Sequence, residues 1–181
     1  PISNILRRGS QSQSTNLISA SGDISICIFC LSLFIRTFAK HNPNTITMKF
    51  IGIIPARYAS TRFPAKPLAL LGGKPVIQRV YEQVAGVLDE AYVATDDERI
   101  EAAVKAFGGK VVMTSVDHKS GTDRCYEAYC KVGSGYDVVV NIQGDEPFIQ
   151  RSQLEAVKAC FDDASTQIAT LVKPFTPADG F

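Results

Sequence analysis

From residue 49 to residue 172 the chain switches between two periodicities. Short apolar runs of strand length alternate with segments whose apolar residues return every three or four positions, the spacing of a helix with one buried face. KFIGII (49–54), AYVAT (91–95), KVVM (110–113), YDVVVNI (136–142) and QIATLV (167–172) read as strands. Pro75 opens a helix whose Ile77, Val80, Tyr81, Val84, Val87 and Leu88 share a face. Asp97 caps a second, with Ile100, Ala103, Val104 and Phe107 on its apolar side and Gly108 and Gly109 to end it. A third helix is expected over 122–131. Ser152 and Glu155 have the spacing of a capping box for a fourth, which carries Leu154, Val157 and Phe161. Strand and helix in strict alternation predict a doubly wound, mostly parallel α/β sheet of Rossmann-like type, with ligands at the carboxyl ends of its strands.

At that edge the sequence concentrates charge. The stretch PARYASTRFPAKPL (55–68) follows the first strand and holds Arg57, Arg62 and Lys66 without one acid, while Ser60, Thr61 and turn N–H groups can complete an anion nest. Such a loop suits a polyphosphate; a basic loop that only faces water is the competing reading. The formal net charge is +1, so the chain has no overall basic field for nucleic acid or an anionic membrane, and any anion recognition has to be local. The loop is neither a Walker A loop nor a GxGxxG fingerprint.

Two further segments reach the same edge. In VVVNIQGDEPF (138–148) a buried strand ends at a glycine turn carrying Asp145 and Glu146. A carboxylate facing a cationic loop is what a metal–nucleotide site requires, because Mg²⁺ bridges carboxylate and phosphates. In HKSGTDRCYE (118–127), Ser120, Gly121 and Thr122 open a helix and suit a cap or an anionic ligand. Arg124 in the first turn opposes the helix dipole and calls for an anionic partner. Asp96 lies where it can approach a ribose. His41 and His118 have no Ser or Cys partner at a recognisable spacing, so nothing supports a nucleophilic triad.

PARYASTRFPAKPL (55–68), VATDDE (93–98), DHKSGTDR (117–124) and NIQGDEPF (141–148), in this order, resemble 3-deoxy-manno-octulosonate cytidylyltransferase, also called CMP-Kdo synthetase, over essentially all of 48–181. The resemblance implies a nucleotide-diphospho-sugar transferase-like fold. It also implies transfer of CMP from CTP to Kdo, giving CMP-Kdo and pyrophosphate for lipopolysaccharide biosynthesis in the cytoplasm, with Mg²⁺ as cofactor. Arg57, Ser60, Thr61, Arg62 and Lys66 would hold the CTP phosphates, Asp145 would bind Mg²⁺, and Arg57, Lys66 and Asp145 would carry the catalysis. Gln143 and Arg124 would contact the sugar acid; Asp96 and Ser120, Gly121 and Thr122 would lie near the nucleoside. CTP and Kdo are the implied partners, with neither nucleic acid nor membrane, and a full-length member is expected to be a homodimer. Inactive or regulatory nucleotide binding, or another sugar nucleotidyltransferase such as CMP-sialic acid synthetase, are the alternatives.

Residues 1–47 differ in composition from the rest of the chain. A Ser-, Gln- and Asn-rich stretch precedes an apolar run at 24–35, shorter than the roughly 20 residues that span a bilayer. Arg7 and Arg8 ahead of it allow a signal peptide, but Asp23 abuts the run and no A-x-A-like site comes after it. With Met48 placed as an initiator would be, this segment reads as a disordered or artefactual leader, such as translated upstream sequence, ahead of one cytidylyltransferase domain over 48–181. That domain is expected to be C-terminally truncated at Phe181, without a second metal-binding aspartate or much of the dimer interface. Five cysteines, an odd number, suit reduced thiols; Cys27 and Cys30 form a CxxC in apolar surroundings that reads as packing rather than a zinc or redox site.

Overall fold

The computed structural model describes residues 48–59, 64–133 and 135–172, together with the backbone of 4–8, 17–18 and 32–36. Its strands are β1 (Asn4–Arg8), β2 (Leu17–Ile18), β3 (Ser32–Arg36), β4 (Phe50–Ala56), β5 (Leu70–Leu71), β6 (Lys74–Pro75), β7 (Glu90–Thr95), β8 (Val111–Met113), β9 (Val138–Ile142) and β10 (Ile168–Val172). Four helices alternate with them: α1 (Val76–Ala85), α2 (Glu98–Ala106), α3 (Gly121–Val132) and α4 (Arg151–Lys158). Cys27 and Cys30 lie outside the described residues.

The main sheet has the order β2-β1-β10-β3-β9-β4-β7-β8. β9, β4, β7 and β8 are mutually parallel, as the alternation predicts. The sequence reading assigns no strand to residues 1–47, yet the structure pairs β3 antiparallel with both β9 and β10, and β1 antiparallel with β10. β5 and β6 form a separate antiparallel hairpin just ahead of α1.

Alternation along β4 explains the two layers. Phe50, Ile54 and Ala56 join the cluster with Ile77, Val80 and Val84 of α1, Val104 of α2 and Leu154 of α4; Ile51 and Ile53 point the other way, to Cys125 and Ala128 of α3. Ile51, Ile53 and Ile54 are fully buried, each contributing about 1.5–3 kcal/mol of apolar burial. Gly52 is required on the α1 side, because a Cβ there would lie 2.6 Å from Val84 Cγ1 and 2.9 Å from Leu88 Cδ1. β4 continues through Pro55 to Ala56, two residues beyond the expected end. Pairing with β9 stops at Ile53, so the missing proline N–H falls where only β7 is a neighbour.

Helix starts agree with the sequence with one exception. Asp97 caps α2, accepting from Arg99 N at 2.9 Å, and Ser120 caps α3, accepting from Asp123 N at 3.1 Å. α4 begins before Ser152: Gln150 is its cap, and the Gln153 side chain accepts from Gln150 N at 2.8 Å, which displaces the expected Ser152–Glu155 box. From β4 the chain adds β7 and then β8 on one side before crossing to β9 on the other. The strand order therefore reverses between β4 and β9, and the crevice at their carboxyl ends is where such sheets take ligands.

Candidate active site

At that crevice the described parts of two loops are held by specific contacts. Beyond β4, Arg57 is half-buried and its guanidinium donates to the His118 carbonyl. The backbone then folds back: Ala65 N donates to Tyr58 O at 2.9 Å, and Ala65 adopts φ 58°, a left-handed conformation costing roughly 1–2 kcal/mol in a non-glycine residue. This turn launches a single 3₁₀ turn, Lys66–Leu68, anchored by buried Pro67. On the other side, β9 ends at Ile142 and is followed by Gln143 and Gly144. A Cβ on Gly144 would lie 2.8 Å from the Pro55 carbonyl oxygen, so only glycine lets the two strand ends approach.

The approach brings Lys66 Nζ to 2.8 Å from Asp145 Oδ2. Their side chains are 41% and 50% exposed, and a pair so hydrated contributes at most about 1 kcal/mol. It is too weak to be the reason for the arrangement and easily opened by a stronger ligand. Two cavities meet at this pair. One, of about 450 Å³, is lined by Arg57, Lys66, Lys119, Gly121, Gln143 and Asp145 among others. The second, about 510 Å³ and mostly apolar, lies beyond Asp145 against Glu146, Phe148, Ile149 and Leu171. The expectation that first-loop cations and Asp145 share a cavity is met by Arg57, Lys66 and Asp145; Ser60, Thr61 and Arg62 lie outside the described residues.

Other expected residues divide. Gln143 and Gly121 line the first cavity, whereas Ser120 and Thr122 are exposed at the start of α3 and line neither. Arg124 departs from the sequence reading. It is fully buried and lines neither cavity, with Nη1 donating to Thr114 Oγ1 at 2.5 Å and Nη2 standing 3.2 Å from Asp96 Oδ2. The anionic partner that its place in the first turn calls for is thus Asp96, within the protein. Asp96, expected near a ribose, faces Arg124 and lines neither cavity. Lys119 is not legible as a site residue from sequence, its only signal being a cation beside the Ser120–Thr122 turn.

Glu146 is shifted most at this edge. Burial first, and the neighbouring Asp145 charge second, push its carboxyl up to about 7, against a smaller opposing pull from Lys66. Between the ordinary value of 4.5 and about 7 the folded chain keeps a proton that the unfolded chain has released, so stability should fall as pH rises through this window. Urea midpoints at pH 5 and 7.5 should show that fall, and Glu146→Gln should flatten it. An equal slope in both proteins would assign the fall to another group.

Asp145 supplies a hard oxygen donor in a cavity lined by the cations Arg57, Lys66 and Lys119, and no group of three or more His, Cys, Asp or Glu that could hold a metal occurs among the described residues. That donor set suits Mg²⁺, which is held by one or two carboxylates plus substrate phosphates and waters rather than by a protein cage.

The cationic first loop thus faces a carboxylate across the switch point of a mostly parallel α/β sheet, where such sheets bind ligands. The cytidylyltransferase family matches residues 51–179, and the chain belongs to that family. Over 133 residues it is 90% identical to the 3-deoxy-manno-octulosonate cytidylyltransferase of Phocaeicola vulgatus, covering 74% of this chain and 53% of the relative. The namesake in Bacteroides thetaiotaomicron is 84% identical over 134 residues, covering 74% and 54%. The chain thus spans about half the length of these curated relatives. A solved CMP:2-keto-3-deoxy-manno-octonic acid synthetase complexed with CTP superimposes with a TM-score of 0.61 at 48% identity, over 65% of this chain and 49% of that one.

Proposed function

We propose that the chain carries the CTP-binding part of a 3-deoxy-manno-octulosonate cytidylyltransferase, which transfers CMP from CTP to Kdo and releases pyrophosphate, for lipopolysaccharide biosynthesis. The observation that carries this reading is the 2.8 Å approach of Lys66 to Asp145 where two cavities meet. Arg57 and Lys66 hold the triphosphate, with Ser60, Thr61 and Arg62 of the same loop, and Gln143 orients the acceptor. Asp145 holds Mg²⁺, which when bound neutralises charge on the phosphates. A Kdo hydroxyl attacks the α-phosphorus in line with departing pyrophosphate, and Lys66 and Arg57 neutralise the charge that builds on the non-bridging oxygens and leaving group. The Pro55–Gly144 contact keeps these groups preorganised, so positioning and electrostatics supply the catalysis without a covalent intermediate.

Cys125 and Cys130 are free thiols, which fits a reducing cytoplasm. Among the described residues no helix is long and apolar enough to cross a membrane. By its resemblance to this family, a full-length member would be a homodimer.

A second reading, nucleotide binding without transfer, is favoured by the half-length coverage of the relatives. CTP binding and pyrophosphate release measured together, with Kdo and Mg²⁺, separate the two. Binding with release supports the transferase, and binding alone supports the module. Loss of both would overturn the reading of the cavity. Release with a sialic acid in place of Kdo would reassign the acceptor.

A further inference from the structure

Residues 114–120 form a loop without regular structure that delivers two things to the first cavity: Lys119, and the His118 carbonyl on which Arg57 rests. Val116, Asp117 and Lys119 are exposed, so packing does little to fix the loop's middle. Its beginning is fixed by Thr114, whose N–H donates to Thr95 O at 2.8 Å. Asp117 N donates to Ser115 Oγ at 3.1 Å within the loop, and one carboxylate on α3 ties the loop to the body of the protein. Glu127 Oε2 accepts from Ser115 N at 2.9 Å and contacts His118 Nε2, while Oε1 pairs with Lys131 Nζ at 2.7 Å. Lys131 in turn donates to Met113 O at 2.8 Å, tying the same carboxylate to the end of β8.

Glu127 lines neither cavity. Lys131, the Ser115 N–H and His118, in that order, hold its carboxyl down to about 2, so it remains an anion across the working range.

We infer that Glu127 is a positioning residue for the triphosphate: through Ser115 and His118 it sets the loop that holds Arg57 and presents Lys119, and so tunes affinity without touching the nucleotide. The inference deepens the proposed CTP site and rests on it.

The chain's affinity for CTP with Mg²⁺, measured by calorimetry for Glu127→Ala, Arg57→Ala, the double variant and Lys66→Ala, tests it. Glu127→Ala should weaken binding about tenfold, as expected for loss of one well-placed charge-assisted contact. In the Arg57→Ala background the same change should cost about threefold or less, because the part of its effect that runs through Arg57 is gone and only the part that runs through Lys119 remains. A purely structural role would lower affinity to the same extent in both backgrounds. Should Glu127→Ala not fold, as judged by its thermal transition, Glu127→Gln keeps an acceptor for Ser115 N while removing the charge, and should show a smaller loss with the same dependence on Arg57. Wild-type affinity in the folded Glu127 variants, or fully additive losses in the double variant, overturns the inference. If the wild-type chain does not bind CTP, or Lys66→Ala binds as well as wild type, the cavity reading fails and takes the inference with it.

Discussion

Lys66→Ala is expected to weaken CTP binding by about tenfold to a hundredfold, the worth of one charge-assisted hydrogen bond of roughly 1.5–3 kcal/mol. Asp145→Ala should behave differently because the two side chains neutralise each other at 2.8 Å in the free protein. With Mg²⁺ present, loss of the carboxylate should weaken binding as Lys66→Ala does. Without Mg²⁺, it removes a negative charge from beside the phosphates and releases Lys66, so binding should hold or tighten. Where pyrophosphate release is measurable, each change should raise the barrier by several kcal/mol, since charge on the reacting phosphates is greatest in the transition state. Calorimetric titrations of both variants, with and without Mg²⁺, read these signs directly. An equal loss for Asp145→Ala in both conditions would remove the metal from its role.

The second large effect is on stability. Arg124 is fully buried, and neither its Nε nor its Nη2 has a hydrogen-bond partner; Asp96 is the anion that faces it, at 3.2 Å. Asp96→Ala would leave a buried guanidinium without a counter-charge, and breaking a buried pair in this way costs about 3–5 kcal/mol. Removing both charges should be far milder: Asp96→Ala with Arg124→Met is expected within about 1 kcal/mol of wild type, since Met fills much of the same space without charge. Urea unfolding of the two variants checks this. A benign Asp96→Ala would mean that the guanidinium is compensated elsewhere, and a double variant as unstable as the single one would point to packing rather than charge.

These two cases also mark what the sequence can convey. β4 is legible because burial on both faces leaves a continuous apolar run, and α2 because Asp97 and the Ile100–Val104 spacing are local signals. The meeting of Lys66 and Asp145 comes from topology: once two loops are assigned to the carboxyl ends of central parallel strands, few arrangements keep them apart. Partner choice is not legible. Arg124 reads as awaiting an external anion because nothing local names Asp96, which arrives from the end of β7 only when α3 packs on the sheet. Glu127 looks like one more surface acid on a helix, although it fastens the loop before that helix. Gln150 displaces Ser152 as the cap of α4 because the Gln150–Gln153 pair makes the reciprocal capping contacts that the Ser152–Glu155 spacing also offers. The strand pairing of 32–36 with β9 and β10 has no signal, since an apolar run does not specify which sheet edge it joins.

The most direct measurement is a crystal structure of the chain with CTP and Mn²⁺. The triphosphate should lie in the 450 Å³ cavity against Arg57 and Lys66, with the anomalous metal peak within coordination distance of Asp145 and the phosphates, and the Lys66–Asp145 contact opened. Nucleotide bound elsewhere on the sheet, or metal placed away from Asp145, would contradict the account.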